Sequence, residues 1–133
     1  MNYSENMVNK SLLAVDDESD VLEFLSLYLG TLGWTVHTAG SVADALKMLD
    51  EQNYFLVLTD IAMPDMDGYE FVSTIKERGI SSKVVLMTGF GYNPNHTLIK
   101  LNKAVQYPTL FKPFDNAKLA ATVQCMWQAY NGV

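Results

Sequence analysis

Four short segments hold the residues that could do chemistry. VDDE places Asp16 and Asp17 directly after the apolar run SLLAV. TDIAMPDMDG places Asp60 one residue after another apolar run, FLVL. LMTG carries Thr88 and Gly89, and FKPF carries Lys112 and Pro113. Each reactive residue stands where an apolar run stops. A carboxylate in such a place can act as a nucleophile. A hydroxyl and an ammonium beside it can stabilise charge that develops on a reacting group. Several carboxylates gathered at one edge repel, and a divalent cation is the simplest remedy. Taken singly, each residue has a plainer use: Asp as a cap or turn residue, Thr as a strand former, Lys as solvated surface. Only the joint pattern points to a site.

The elements that must position these residues alternate. Strands are expected at 11–15, 35–39, 54–59, 83–88 and from 109 onward. Between and after them lie segments with apolar residues at helical spacing. Leu22, Leu25, Leu29 and Leu32 mark the first, with Gly30 and Gly33 at its end. Val42, Ala45, Leu46 and Leu49 mark the second, which Ser41 opens with Asp44 three residues on. Phe71, Val72 and Ile75 mark the third; the segment 95–105 is a weaker fourth; Leu119, Val123, Met126 and Tyr130 mark the last. Continuous apolar strands separated by helices predict a parallel sheet covered on both faces. Right-handed crossovers make that sheet doubly wound. Ligands then bind beyond the carboxyl ends of the strands, near the point where strand order reverses. All the residues named above fall at that edge.

Composition narrows the function further. The 133 residues suit one domain, read as 11–133 after a polar tail at 1–10. The net charge of −6 argues against nucleic-acid binding by this chain, because phosphate contacts need clustered Lys and Arg. The single cysteine, Cys125, excludes an intrachain disulfide and reads as a small apolar residue within a helix. His37 and His96 are too isolated for a zinc site. Trp34, Trp127 and Tyr28 read as packing residues, and Met63, Met66 and Met87 as gap fillers. No signal peptide or membrane-spanning run is present in the sequence, so a cytoplasmic protein is expected.

The four segments, in this order and spacing, resemble the receiver domain of two-component response regulators over about Leu12 to Tyr130. The resemblance implies an α/β fold: a doubly wound, flavodoxin-like sheet of five parallel strands in the order 2-1-3-4-5, flanked by five helices. It implies Asp60 as phosphoacceptor, with Mg²⁺ held by Asp16, Asp17, Asp60 and the Ala62 backbone carbonyl. Thr88 and Lys112 would contact the phosphoryl group, and the Lys112–Pro113 bond would be cis. The implied partners are a sensor histidine kinase or phosphotransfer protein and an unidentified downstream protein. The domain would work as a self-phosphorylating switch that loses its acyl phosphate slowly, not as a turnover enzyme.

Two departures stand out. The family's aromatic residue three positions before the lysine is Thr109 here, and Tyr107 lies two residues too early to replace it. Ala62 and Phe90 occupy positions that tune dephosphorylation in the family, and neither side chain can orient a water by hydrogen bonding. A flavodoxin-like cofactor binder fits poorly, since DDESD would repel phosphate after the first strand. An aspartyl-phosphate hydrolase of the haloacid dehalogenase kind needs a second acid where Ala62 stands. A degenerate receiver that only binds proteins, or a receiver excised from a hybrid kinase or larger regulator, are the remaining alternatives.

Overall fold

In the computed structural model the described residues are 10–66, 68–89 and 107–132. Five strands form one parallel sheet: β1 (Ser11–Val15), β2 (Thr35–Ala39), β3 (Leu56–Asp60), β4 (Lys83–Thr88) and β5 (Thr109–Phe111). Their order is β2-β1-β3-β4-β5, as the resemblance to receiver domains implied. Four helices are described: α1 (Ser19–Thr31), α2 (Val42–Glu51), α3 (Gly68–Glu77) and α4 (Asn116–Tyr130). The helix expected at 95–105, Phe90, His96 and all of the expected tail except Lys10 lie outside the described residues.

Alternation along the strands builds the core. Leu13, Val15, Val57, Val84 and Leu86 face one way and join Val42, Ala45 and Leu49 of α2 and Phe71, Val72 and Ile75 of α3. Leu12, Ala14, Leu56, Leu58, Val85 and Met87 face the other way and join Leu25 and Leu29 of α1 and Leu119 and Val123 of α4. Successive residues of a strand point to opposite faces, so apolar runs without polar interruption need helices on both sides. Leu32 does not share the buried face of α1. It follows the last helical residue and is 47% exposed, because the chain has already turned away towards β2. Leu22 is only partly buried. Cys125 sits on the exposed side of α4 and does not pack inward.

Local chemistry sets the helix ends. The Ser41 hydroxyl accepts from the Asp44 N–H at 3.1 Å, and the Asp115 carboxylate accepts from the Lys118 N–H at 3.1 Å. Both are side-chain caps for amides that lack an intrahelical acceptor. Trp34, Phe55, Trp127 and Tyr130 pack together near the amino ends of the strands. The Lys10 ammonium lies 5.8 Å from the Trp34 ring and 5.9 Å from the Trp127 ring. This aromatic pole is opposite the edge where chemistry is expected. Tyr28 stacks on Phe24, and His37 Nδ1 shares a 2.8 Å hydrogen bond with the Tyr54 hydroxyl, so these residues serve packing.

The register lines up the strand ends. Val15 pairs with Ala39 and Thr59, Asp60 with Met87, and Thr88 with Phe111. The ladder runs one residue further: Asp16 N–H bonds the Ala39 carbonyl, Ile61 N–H the Met87 carbonyl and Lys112 N–H the Thr88 carbonyl. Asp16, Asp60, Thr88 and Lys112 therefore stand in a row at one edge.

After β3 the chain turns sharply. The Gly68 N–H donates to the Ile61 carbonyl at 2.8 Å, and a Cβ on Gly68 would lie 2.6 Å from Ile61 Cα. Only glycine permits this backbone approach. Replacing Gly68 with Ala should lower stability by about 1–3 kcal/mol, read as a lower urea midpoint at unchanged slope.

Candidate functional site

The row of strand ends forms the floor of an open pocket of about 610 Å³, lined by Asp17, Asp60, Ala62, Thr88, Gly89 and Lys112 among others. Asp16 is fully buried beneath it, Asp60 is 7% exposed and Thr88 2% exposed. Asp17 stands exposed at the margin.

One cation holds two buried acids. Lys112 Nζ donates to Asp16 Oδ2 at 2.6 Å and to Asp60 Oδ2 at 3.0 Å. The other carboxylate oxygens are held by backbone: Asp16 Oδ1 accepts from the Glu18 N–H at 2.9 Å, and Asp60 Oδ1 from the Ala62 N–H at 3.0 Å. Burial pushes the Asp16 carboxyl above its ordinary value, against the pull of the Lys112 and Glu18 bonds, with Asp60 adding repulsion. Burial pulls the Lys112 ammonium down, but the bonds to Asp16 and Asp60 outweigh it and raise it overall. The Lys112–Pro113 bond is cis, as implied.

Two features remain uncompensated. Carboxylate oxygens of Asp16, Asp17 and Asp60 lie within 4.8 Å of one another. Glu18, a fourth acid, reaches within 3.7 Å of the same ammonium. One lysine does not neutralise four acids. The Thr88 hydroxyl is buried beside the pocket with no hydrogen-bond partner among the described residues. A buried hydroxyl without a partner is costly, and a ligand oxygen in the pocket would satisfy it. The donor set is all oxygen, which suits a hard cation such as Mg²⁺. The residues therefore fit both a metal ion and an anionic group beside it.

All the side chains expected at the site are thus brought together: Asp16, Asp17, Asp60, Thr88 and Lys112, with the Ala62 backbone beside Asp60. Sequence reading passed over Glu18, although it is the third acid of VDDE. Its relevance follows from where the Lys112 side chain reaches, 94 residues away in the chain, and no local pattern reports that. Thr109 is half-buried and its hydroxyl donates to the Tyr107 carbonyl at 3.3 Å. Tyr107 packs against the α2–α3 side of the core and borders a groove with Ile75, Ile80 and Val84. That groove lies near the start of β4, away from Thr88, which supports the expectation that the ring does not stand in for residue 109.

Comparison with known proteins agrees with this geometry. The family model described as the response regulator receiver domain matches residues 12–124. The response regulator protein PilR of Pseudomonas aeruginosa is 32% identical over 117 residues, covering 88% of this chain and 26% of PilR. The regulatory protein AtoC of Escherichia coli is 31% identical over 113 residues, covering 85% of this chain and 24% of AtoC. The chain thus spans about a quarter of the length of these relatives. The solution structure of the beryllofluoride-activated NtrC4 receiver domain dimer superposes with a TM-score of 0.80 at 33% identity, covering 91% of this chain and 98% of that one. A CheY-like receiver from Methanospirillum hungatei shares the fold, with a TM-score of 0.81 over 92% of this chain and 96% of that one at 22% identity. The chain belongs to the response regulator receiver domain family. Such domains bind Mg²⁺ through acidic residues and work with histidine kinases and downstream effectors.

Removing the bridging cation has a calculable consequence. Lys112→Ala would leave two buried carboxylates without a counter-ion, which costs about 3–5 kcal/mol. Asp16 would then bind a proton more readily in the folded than in the unfolded chain. Stability held by a raised carboxyl pKa is present at low pH and lost as pH rises through the folded value. The variant's deficit should therefore shrink as pH falls from neutrality towards the carboxylate range, as urea midpoints of both proteins at each pH would record.

Proposed function

We propose that Asp60 accepts a phosphoryl group from a phosphohistidine on a sensor histidine kinase or phosphotransfer protein, with Mg²⁺ held by Asp16, Asp17, Asp60 and the Ala62 carbonyl. One observation carries this reading: Asp60, Lys112 and a buried Thr88 hydroxyl with no partner among the described residues meet on one pocket. An Asp60 oxygen forms the new P–O bond as the P–N bond of the donor breaks. The electron pair of that bond returns to the imidazole nitrogen, which takes up a proton. The transition state spreads charge over three equatorial oxygens. Lys112 and the Thr88 hydroxyl supply donors for that charge, and the bound metal would neutralise part of it.

The product stays attached to the chain, so this is a switch and not a turnover enzyme. An acyl phosphate is labile, and Ala62 offers no side-chain hydrogen bond to hold a hydrolytic water. Decay would then depend on the metal site and on external phosphatases. The output is read by a protein partner or by a further domain. Some relatives are called transcriptional regulatory proteins, GlrR of Escherichia coli among them, and the acidic charge of this chain supports a reading in which any DNA contact is made by another segment or partner. No helix among the described residues is long and apolar enough to cross a membrane, which supports a cytoplasmic role.

The donor must reach Asp60 through the pocket mouth and therefore touches its rim. One flank of that rim is apolar: Val21, Phe24, Pro113 and Phe114 border an adjoining groove of about 310 Å³. Phe24 is 36% exposed and stacks on both Tyr28 and Phe114. This flank suits the apolar side of a donor helix.

Two experiments test the reading. Mg²⁺ with beryllofluoride should shift the backbone resonances around residues 60, 88 and 112, and Asp60→Asn should abolish the response; an unresponsive wild type would reject the phosphoacceptor role. NMR is the better probe, since both tryptophans lie at the opposite pole. Phe24→Ala should slow transfer from a protein phosphodonor about tenfold while leaving phosphorylation by acetyl phosphate unchanged. Equal slowing with both donors would place Phe24 in the chemistry and not in docking.

A further inference from the structure

The loop that presents Ala62 is tied down by a residue that does not line the pocket. Asp65 lies five residues after Asp60, and its sequence context marks only a turn. Its carboxylate instead crosses to the start of α2. Oδ1 accepts from the Val42 N–H at 3.3 Å and Oδ2 from the Ala43 N–H at 3.1 Å. These are first-turn amides with no acceptor inside the helix, at its positive end. The next two are satisfied locally: Asp44 N–H by the Ser41 hydroxyl and Ala45 N–H by the Ser41 carbonyl. Two of the three side-chain-capped amides of α2 are therefore held by the loop after β3. Desolvation raises the Asp65 carboxyl, but the bonds from Ala43, Val42 and its own N–H together outweigh it and hold the group below its ordinary value.

The same loop is fixed at its other end. Ile61 is buried, bonds Met87 through its N–H and accepts from the Gly68 N–H through its carbonyl. Met63 is buried as well. Ala62 lies between these anchors, exposed, with its N–H on Asp60 Oδ1. Without the Asp65 tie, the segment 62–66 would keep only the packing of Met63 and Met66 and the Ala62 bond to Asp60 before reaching Gly68.

We infer that Asp65 is a positioning residue: by binding the α2 amides it fixes the Ala62 backbone, and so sets both the N–H on Asp60 and the carbonyl offered to the metal. Only the statement about the carbonyl rests on the phosphoacceptor reading. The hold on the Ala62 N–H is independent of it.

The experiment compares Asp65→Ala, Asp65→Asn and Ser41→Ala in the intact chain. Ser41→Ala weakens the same helix start without releasing the loop, so it reports what a merely structural loss would do. In metal-free protein, hydrogen exchange at the Ala62 amide should be about tenfold faster in Asp65→Ala and near wild type in Ser41→Ala. Asp65→Asn, which keeps one acceptor oxygen, should fall between and serves as the test if Asp65→Ala does not fold. A Mg²⁺ titration followed by NMR should then show affinity reduced about tenfold in Asp65→Ala but not in Ser41→Ala. Unchanged Ala62 exchange in Asp65→Ala and Asp65→Asn, or equal effects from Ser41→Ala, would overturn the inference. A wild type that bound no Mg²⁺ would reject the phosphoacceptor reading, while the exchange arm would still decide the role of Asp65.

Discussion

The Lys112 ammonium, 2.6 Å from Asp16 and 3.0 Å from Asp60, is what allows two carboxylates to sit at the inner end of a parallel sheet. Burying a charge is expensive unless it is paired and hydrogen-bonded. Each of these carboxylates has both: one oxygen on the lysine and one on a backbone amide. The pairing spans 96 and 52 residues of chain, so it exists only when β1, β3 and β5 are in their correct order and register. A slip of one residue in any of these strands would invert its faces and carry the charged end out of the row. Fold and site are therefore specified by the same register.

That arrangement is deliberately incomplete as electrostatics. A site built only for stability would match charges, yet here Asp17 and Glu18 add to an excess of negative charge around a single cation. The Thr88 hydroxyl is likewise buried without a partner among the described residues. Local rules are broken where function needs them broken, and the rest of the structure compensates. Two dense apolar layers on either face of the sheet supply that compensation, with Leu12, Leu13, Ala14 and Val15 all fully buried.

Much of this was legible in the sequence because it is encoded locally. The runs SLLAV and KVVLM could only be strands covered on both faces, and the Ser41 cap and the Phe71, Val72 and Ile75 stripe fixed two helices. The convergence of the candidate site residues was legible for a related reason: a charged residue ending an apolar run marks a strand end, and strand ends converge in this topology. What escaped was set by contacts between distant segments. Leu32 matched the helical spacing of α1 but lies beyond its last turn. Cys125 occupies a helix yet faces solvent, because the width of the buried stripe on α4 depends on its neighbours. Glu18 and Asp65 carried no site role in the sequence, since neither the lysine that the one approaches nor the amides that the other caps are near in sequence.

The missing ring at position 109 bears on how a change at the site could reach the rest of the molecule. β5 is short, with Leu110 on the α1–α4 face and Thr109 and Phe111 on the other. Thr109 is small and uses its hydroxyl on the Tyr107 carbonyl, so it cannot fill or vacate a cavity as an aromatic ring does. Tyr107 is already committed to the core beside Ile75 and Ile80. Thr88, however, is joined to β5 by backbone: it pairs with Phe111 and its carbonyl accepts the Lys112 N–H at 2.8 Å. Phe111, directly across from Thr88, is 59% exposed. Among the described residues, the link from Thr88 to the edge strand thus runs through the backbone ladder and ends at an exposed aromatic residue.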